Sequence, residues 1–393
     1  MTVPRLRRVR LRNYRSIEMC DIDLPSPLTF IVGPNSFGKS NFLDALRLVS
    51  DALRTSSLDE ALRFRGGIGE VAARPHTAER TVRLLYDLSL GEESAEYSIE
   101  LSLGPGETAA IAEVCSVVSP DSAVRHYFEA SQDTVISSEP VLAPPGPGSL
   151  YLTRASSLTA FRPVFELLSH MTVYDFNVDS IKAPQSPDPG NRLYGDGSNL
   201  ASVFKRMKRE HPEMKREHPD LASIVVDYLG IISPGVTDVT TLEVGSYQTL
   251  SFTQQRGTFP GRSVSDGTLR ALAVLTAIYQ PGSDIVGIEE PETGVHPAAA
   301  GILREALVDA SSDRQIILTS HSPDLLDDPD LPPESIIAVR AADDATRTDG
   351  VTRLGPLDRA GQMALREHLV TAGELLRLDQ LAPDPDLRAQ ADG

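Results

Sequence analysis

The chain lacks several features that would place it in other protein classes. It has no tryptophan, only two cysteines, Cys20 and Cys115, and no apolar run near the roughly 20 residues of a membrane span. Two cysteines this far apart form neither a metal-binding spacing nor a disulfide framework. The basic N-terminal stretch is not followed by the apolar core of a signal peptide. We therefore expect a cytoplasmic protein with no membrane partner.

The chain also has too few basic residues for a broad DNA-binding surface. Its net charge is −18, with 37 Lys and Arg against 55 Asp and Glu, whereas neutralising DNA phosphates needs clustered cations. Two local basic clusters stand out, at residues 5–15 and 205–209. They are either solvated faces of a strand and a helix, or local contacts with nucleic acid or an acidic partner.

The hydrophobic pattern predicts α/β organisation in four parts. Strands are predicted over 5–11, 17–24, 81–90, 95–103, 125–137, 237–244, 248–254, 284–289 and 315–319. Helices are predicted over 40–54, 266–280 and 297–310, and near 157–169, 199–210 and 219–230. The predicted parts are an N-terminal half of a head (1–155), a mainly helical insert (156–235), a C-terminal half (236–345) and an extension with a tail (346–393).

A tandem repeat lies inside the predicted insert. "MKREHPE" (207–213) is followed directly by "MKREHPD" (214–220). A proline in each copy prevents a coiled coil, because proline breaks the interior of a helix. A local duplication in a surface loop is the favoured interpretation.

The stretch "IVGPNSFGKSN" (31–41) has the pattern G-x-x-x-x-G-K-[ST] between a buried strand and a helix. In such a loop, backbone N–H groups converge on phosphates, the lysine reaches the β- and γ-phosphates, and the hydroxyl ligates Mg²⁺. A lysine here is informative because the chain has only five. The absence of a guanine-reading motif favours ATP. The predicted nucleotide-binding residues are Gly33, Asn35, Ser36, Gly38, Lys39, Ser40 and Asn41.

Two adjacent acids end the predicted strand in "DIVGIEEPETGVHP" (284–297). Neighbouring residues at a strand tip point to opposite sides. We therefore assign Glu289 to Mg²⁺, directly or through water, and Glu290 to polarising the attacking water. A solvated acidic turn is the alternative for an isolated pair of this kind.

Two further stretches complete the pattern. Ser265, Asp266 and Gly267 begin a predicted helix, with Ser265 as its N-cap, and form a second anion site. One nucleotide does not need two such sites, so we expect a dimer in which this helix reaches the partner's γ-phosphate. "QIILTSHSPDLLD" (315–327) places His321 at a strand tip, within reach of the γ-phosphate or the water. His296, in "GVHP", is expected to support the dimer interface.

These four stretches, in this order, resemble ABC-type ATPase heads of the SMC/RecF kind, especially stand-alone RecF-like ATPases and the ATPase half of OLD-family nucleases. "LRNYRSIEMCDIDLPSPLTFIVGPNSFGKSNFLDAL" resembles the opening of that group. "VSDGTLRAL" resembles its signature, "GIEEPETGVHP" its Walker B and D-loop, and "LTSHSPDLL" its switch histidine. The resemblance implies a P-loop NTPase head with a mixed sheet, an antiparallel β subdomain and a mainly helical insert.

The resemblance also implies site roles and partners. It implies a homodimer closing around Mg²⁺-ATP, with Ser265 and Gly267 acting across the dimer, Glu290 as base and His321 as switch. Arg12 or Arg15 is expected to touch the nucleotide, and Gln132 is the candidate for the Q-loop. Phe37 departs from the small residue usual in the loop.

The function is expected to be ATP hydrolysis that drives a DNA or protein partner in DNA repair or anti-phage defence. About seventy residues follow His321, which is short for a nuclease domain, so a separate nuclease or effector protein is expected. The alternative is an ATP-gated scaffold that recruits a nuclease with little turnover. An ABC transporter subunit is a more distant alternative, because the LSGGQ-type signature is missing.

Overall fold

A computed structural model describes residues 3–35, 37–72, 81–103, 109–119, 125–209, 221–341 and 352–385. The strands are β1 (Arg5–Tyr14), β2 (Ile17–Asp23), β3 (Leu28–Val32), β4 (Thr81–Leu90), β5 (Glu93–Leu103), β6 (Ala109–Val118), β7 (Arg125–Ser131), β8 (Val135–Ser137), β9 (Thr172–Tyr174), β10 (Val236–Val244), β11 (Tyr247–Gln254), β12 (Gly257–Pro260), β13 (Ile285–Glu289), β14 (Gln315–Ser320), β15 (Ile336–Ala341) and β16 (Thr352–Pro356). The helices are α1 (Lys39–Thr55), α2 (Leu58–Arg63), α3 (Ile68–Val71), α4 (Tyr151–Ala155), α5 (Arg162–His170), α6 (Val178–Lys182), α7 (Leu200–Arg209), α8 (Leu221–Ile232), α9 (Asp266–Tyr279), α10 (Pro297–Ala310), α11 (Arg359–Arg366) and α12 (Ala372–Arg377).

Among these residues, a large mixed sheet organises the fold. Its strand order is β8-β7-β6-β5-β4-β1-β2-β16-β15-β3-β14-β13-β9, and a separate antiparallel sheet contains β10-β11-β12. Strands β15, β3, β14, β13 and β9 run parallel to one another. Strands β1, β2 and β4–β8 form an antiparallel arm. The predicted mixed α/β architecture is confirmed.

Two hydrophobic cores lie on the opposite faces of the parallel strands. Helix α1 packs its apolar residues into one core, with α5 and the inner face of the antiparallel arm. Helices α7–α10 pack into the other core. Strands β3 and β14 are buried along their whole length, as parallel strands covered on both sides must be.

The division into four parts stays a prediction. The short strand β9, in the predicted insert, pairs with β13 of the main sheet. Strand β16, in the predicted extension, pairs with β15. Most of the tandem repeat, residues 210–220, lies outside the described residues, and its first three residues end α7. No helix in the described ranges is long and apolar enough to span a bilayer.

A buried carboxylate joins the antiparallel arm to the helical layer. Glu113, on β6, is 1% exposed. It accepts hydrogen bonds from the Tyr97 hydroxyl and from the backbone N–H groups of Tyr151 and Leu152. Those two N–H groups begin α4, so Glu113 satisfies donors that a helix start leaves free. Burial raises the pKa of Glu113 to about 7, although the three hydrogen bonds oppose the shift.

This raised pKa predicts a pH dependence of stability. Between pH 4.5 and 7 the folded chain retains a proton that the unfolded chain loses, so the free energy of unfolding falls as pH rises through that window. The contribution is about 3 kcal/mol, and it is flat above the window. Urea denaturation from pH 5 to pH 8 measures this slope. Glu113→Gln is expected to flatten it, whereas Glu129→Gln, on an exposed position of β7, leaves it unchanged. An unchanged slope in Glu113→Gln contradicts the assignment.

Candidate ATP-binding and hydrolysis site

The candidate site lies where the parallel strands end. The Gly-rich loop follows β3, Glu289 and Glu290 lie at the end of β13, and Ser320 and His321 at the end of β14. Because β14 pairs in parallel with both β3 and β13, these three ends are adjacent. The carboxyl edge of a parallel sheet is where such folds bind ligands.

Glycines fix the shape of the phosphate loop. Gly38 has φ 84°, and a Cβ there would lie 2.4 Å from Thr352 Oγ1 and 2.5 Å from Ser16 Oγ. A Cβ at Gly33 would lie 2.3 Å from the carbonyl oxygen of Val339. Only glycine fits these two close approaches. Helix α1 then begins with no side-chain cap and no acid in its first turn, which leaves its positive end open to an anion.

Lys39 is 5% exposed and lies over the loop. Its Nζ donates to the carbonyl oxygens of Gly33, at 2.8 Å, and Pro34, at 2.9 Å. Burial lowers the pKa of Lys39, and the charges of Glu290 and Glu292 oppose that shift. The lysine therefore lies in the same electrostatic environment as the acids at the end of β13.

Glu289 faces the loop. Burial raises the pKa of its carboxyl and the charges of Asp175 and Asp44 add to the shift, whereas the Ser40 hydroxyl beside it opposes the shift. A hydroxyl and a carboxylate side by side are the hard oxygen ligands that Mg²⁺ takes, usually only one or two from the protein with phosphates beside them. The donor set fits Mg²⁺, which Ser40 and Glu289 would hold. No group of three or more His, Cys, Asp or Glu in the described ranges is placed to bind a metal ion.

Glu290 contacts His321. The two side chains are joined by a 3.2 Å contact between Glu290 Oε1 and His321 Nδ1. Thr293 Oγ1 donates to Glu290 Oε2 at 3.3 Å. The backbone of Glu290 is left-handed, at φ 43°, which is uncommon for a residue other than glycine. The two acids therefore diverge at the strand tip, as the sequence pattern predicts.

Arg270, which sequence reasoning missed, holds this strand tip in place. It lies on α9, is 7% exposed, and donates to the carbonyl oxygens of Glu289 (2.9 Å), Glu290 (3.1 Å) and Phe176 (2.9 Å). One guanidinium thus joins α9, β13 and the segment after β9. An arginine inside the apolar run "TLRALAVLTAIY" was the signal available in the sequence.

Glu292 is the second residue that sequence reasoning missed. It is 7% exposed and contacts the end of β14. The sequence feature that could have revealed it is a third acid, one proline after the Glu289–Glu290 pair.

The start of α9 contacts the turn that follows β13. Ser265 caps the helix, accepting from the N–H of Thr268 at 3.3 Å, and its side chain is exposed. Gly267 is buried, and a Cβ there would lie 1.9 Å from the carbonyl oxygen of Gly294. The predicted N-cap is confirmed. Gly267 packs against the D-loop of its own chain, and the action of both residues across a dimer stays a prediction.

The structure places Arg15, rather than Arg12, beside the phosphate-loop helix. Arg15 Nη2 lies 3.0 Å from Asp44 Oδ2, one turn after Ser40 in α1. Arg12 lies exposed on β1, where it pairs with Met19 and Arg83 of the neighbouring strands. Its contact with a nucleotide stays a prediction, and Arg15 is the better placed of the two.

Several residues of each basic cluster are paired with acids. Arg8 and Arg10 contact Asp21 and Asp87 across the sheet. Lys205 contacts Glu243, and Lys208 contacts Asp238. This pairing favours the interpretation of the clusters as solvated faces.

The remaining predicted residues have mixed placements. Asn35 is exposed in the loop, and Ser36 lies outside the described residues. Asn41 donates to Ser16 Oγ at 2.7 Å, which ties α1 to the turn after β1. Phe37 is partly buried against the core, so the departure from a small residue fills space in the fold. His296 caps α10 through Nδ1, which accepts from the N–H of Ala298.

The expectation for Gln132 is wrong. Gln132 lies in the turn between β7 and β8, and β7 is eight strands from β3 in the sheet order. At about 4.8 Å per strand this is about 38 Å along the sheet, too far to reach a nucleotide in the loop. The order of the strands in the antiparallel arm could not be read from the sequence.

The contact between Gly267 and Gly294 predicts that a methyl group added at Gly267 lowers the stability of the fold. Gly267→Ala forces backbone apart and is expected to lower the free energy of unfolding by about 1–3 kcal/mol. Gly301→Ala is the matched control, because a Cβ at this position in α10 meets nothing closer than 3.9 Å. It is expected to stabilise by about 0.5–1 kcal/mol. Urea denaturation of both variants decides, and equal effects contradict the close packing.

The chain is similar in sequence to known proteins over part of its length. Over 100 residues, the chain is 35% identical to the chromosome partition protein Smc of Xanthomonas oryzae pv. oryzae, covering 24% of this chain and 8% of that protein. Over 91 residues, it is 40% identical to the DNA replication and repair protein RecF of Gloeobacter violaceus, covering 22% of this chain and 24% of that protein. The chain thus spans less than a quarter of the length of these relatives.

A solved structure supports the fold over nearly the whole chain. The crystal structure of the SmcHead bound to the C-winged helix domain of ScpA matches with a TM-score of 0.50 at 14% identity, covering 91% of this chain and 99% of that one. The SMC-head-like fold is therefore confirmed, as is the RecF/SMC-like resemblance. The family described as "AAA domain, putative AbiEii toxin, Type IV TA system" matches residues 28–327, and the chain belongs to this family.

Proposed function

We propose that this chain binds Mg²⁺-ATP, closes into a homodimer around it and hydrolyses it. The observation that carries the proposal is the meeting of Lys39, Ser40, Glu289, Glu290 and His321 at one edge of the sheet. A phosphate loop alone supports only nucleotide binding. The second acid, paired with a histidine at the end of β14, supports hydrolysis.

Each side chain has a distinct task in this reaction. Lys39 and the start of α1 hold the β- and γ-phosphates, and Ser40 with Glu289 holds Mg²⁺, which neutralises phosphate charge when bound. Glu290 accepts a proton from a water molecule, and the oxygen of that water bonds to the γ-phosphorus. The bond between the γ-phosphorus and the bridging oxygen breaks, and that oxygen leaves with ADP. His321 orients Glu290 and donates towards the phosphate. Products are ADP and phosphate.

The dimer is supported by a second anion site at the exposed start of α9. Ser265 and Asp266 are exposed, so they are available to a nucleotide held by a partner subunit. Gly267 contacts Gly294 in the turn that follows Glu290 in the same chain. A nucleotide that binds to the start of α9 in one subunit can therefore shift the position of the acids in that subunit. This arrangement would link the two active sites of a dimer.

We expect the opening and closing of the dimer during this cycle to move or activate a partner. We propose a protein partner, a separate nuclease or effector, with DNA processing or anti-phage defence as the setting. The Smc head crystallised with a domain of another protein, ScpA, which supports a protein partner here. Direct binding of duplex DNA through the two basic clusters is disfavoured by the net charge of −18 and by the ion pairs that Arg8, Arg10, Lys205 and Lys208 form with acids.

Two substitutions separate binding from hydrolysis. Lys39→Ala is expected to abolish ATP binding in an equilibrium titration. Glu290→Gln is expected to keep binding and to lower turnover by roughly 10²–10⁴, the usual loss on removing a general base. Glu305→Gln, exposed on α10, is the control with the same chemical change. Wild-type affinity for ATP in Lys39→Ala would contradict nucleotide binding by this loop. Normal turnover in Glu290→Gln would show that another group is the general base.

A bulky residue at the start of α9 tests the dimer. Ser265→Arg is expected to leave Mg²⁺-ATP binding unchanged while preventing ATP-dependent dimers in sedimentation, measured in a Glu290→Gln background that prevents turnover. Ser312→Arg is the control, since Ser312 is exposed just before β14, at the opposite end of the parallel strands. Dimers that persist in Ser265→Arg refute the role of α9 across the interface.

A further inference from the structure

Glu292 is a buried acid to which the proposed reaction gives no task. It lies in the turn after β13, is 7% exposed, and both of its side-chain hydrogen bonds come from the end of β14. Ser320 Oγ donates to Glu292 Oε1 at 2.6 Å, and the backbone N–H of His321 approaches the same oxygen at 3.3 Å. The side chain therefore contacts the one segment that carries the switch histidine.

The bonds around Ser320 form a chain that ends at Glu292. The N–H of Ser322 donates to Ser320 Oγ at 3.0 Å, and that hydroxyl donates onward to Glu292. Ser320 is fully buried, so its hydroxyl depends on these partners. The residues on both sides of His321 are thus held by one carboxylate oxygen, which fixes where the imidazole leaves the strand.

Fold stability alone is a poor reason for this carboxylate. Its second oxygen, Oε2, is buried and has no hydrogen-bond partner among the described residues. Burying an acid with one unsatisfied oxygen costs free energy, and an apolar side chain of similar size would usually be as stable or more so. This loss of stability is understandable if Oε1, which accepts from Ser320 and His321, is needed to position the histidine.

The same turn also touches the start of α9. The N–H of Val295 donates to the backbone carbonyl of Glu292 at 2.9 Å, and the intervening Gly294 packs against Gly267. The turn from Glu290 to Val295 therefore links three elements of one subunit, namely the base, the switch histidine and the helix start proposed to meet a partner's nucleotide.

We propose that Glu292 is a positioning residue that seats His321 against Glu290, so that the histidine follows any movement of the turn. It touches neither nucleotide nor water in this role, and its side-chain hydrogen bonds reach the site only through the segment that carries His321. The inference rests on the proposed function, since its readout is ATP turnover.

The expected effect is on turnover and not on binding. Glu292→Ala removes both anchors of the β14 end and is expected to lower kcat roughly 10- to 100-fold, the usual cost of a displaced catalytic group. KM and the equilibrium affinity for ATP should stay within about twofold. Glu292→Gln retains an acceptor oxygen for Ser320 and His321, and is expected to keep most of the turnover.

A double-mutant cycle with His321→Ala gives the decisive readout. A residue that acts only through His321 has no further effect once the imidazole is gone, so Glu292→Ala is expected to leave the kcat of His321→Ala unchanged. A structural role would lower kcat in both backgrounds. Ser320→Ala, which removes the shorter anchor, is the second variant should Glu292→Ala fail to fold, and it should lower kcat with KM unchanged.

The outcomes separate the inference from the function on which it rests. If Glu292→Ala and His321→Ala lower kcat independently, so that their effects multiply in the double variant, the inference is wrong. A normal kcat in Glu292→Ala also contradicts it, as does a normal kcat in Ser320→Ala if Glu292→Ala does not fold. In either case the proposed function stands, provided that Glu290→Gln is inactive. Turnover that is undetectable in wild type, or normal in Glu290→Gln, defeats the proposed function and the inference with it.

Discussion

The parallel pairing of β14 with β3 on one side and β13 on the other is the constraint on which the site depends. It brings together the carboxyl ends of three strands that are far apart in sequence. The loop after β3, the acids after β13 and the histidine after β14 then lie side by side without any long-range side-chain recognition. Arg270 adds a fourth point, because its guanidinium ties α9 to the carbonyls at the end of β13.

The divergence of Glu289 and Glu290 follows from the same constraint. A strand alternates its side chains between two faces, so two acids at its end serve two neighbours. Glu289 lies beside Ser40, on the side of the phosphate loop. Glu290 contacts His321, on the side of β14. The left-handed backbone of Glu290 begins the turn that carries Glu292 and Gly294, and so joins the two acids to the start of α9.

The sequence predicts the parts of this fold that have local signals. Helices α1, α9 and α10 and strands β13 and β14 lie within one or two residues of their predicted bounds, because each has strong periodicity and recognisable ends. Strands β6, β9, β12, β15 and β16 were missed; β9, β12 and β16 are short, and they are stabilised by pairing rather than by their own pattern. The placement of Gln132 failed for a related reason, since strand order in the arm depends on contacts that no local pattern specifies.

The site was predictable to the extent that its residues follow strands. Lys39, Ser40, Glu289, Glu290 and His321 all stand at strand ends or helix starts, where position implies direction. Arg270 and Glu292 contact backbone and side chains of other elements, and only the folded chain reveals those partners. Arg12 and Arg15 were equally plausible from sequence, and the turn at Asn13 to Ser16 decides which of them lies beside α1.

The central claim is that this site hydrolyses ATP when two copies meet. The most direct test is the specific ATPase rate measured across a wide range of protein concentration, with and without duplex DNA. The account predicts a specific rate that rises with concentration and levels off as the dimer fills. A specific rate that is low and independent of concentration would contradict it, and would favour a nucleotide-gated scaffold with little turnover of its own.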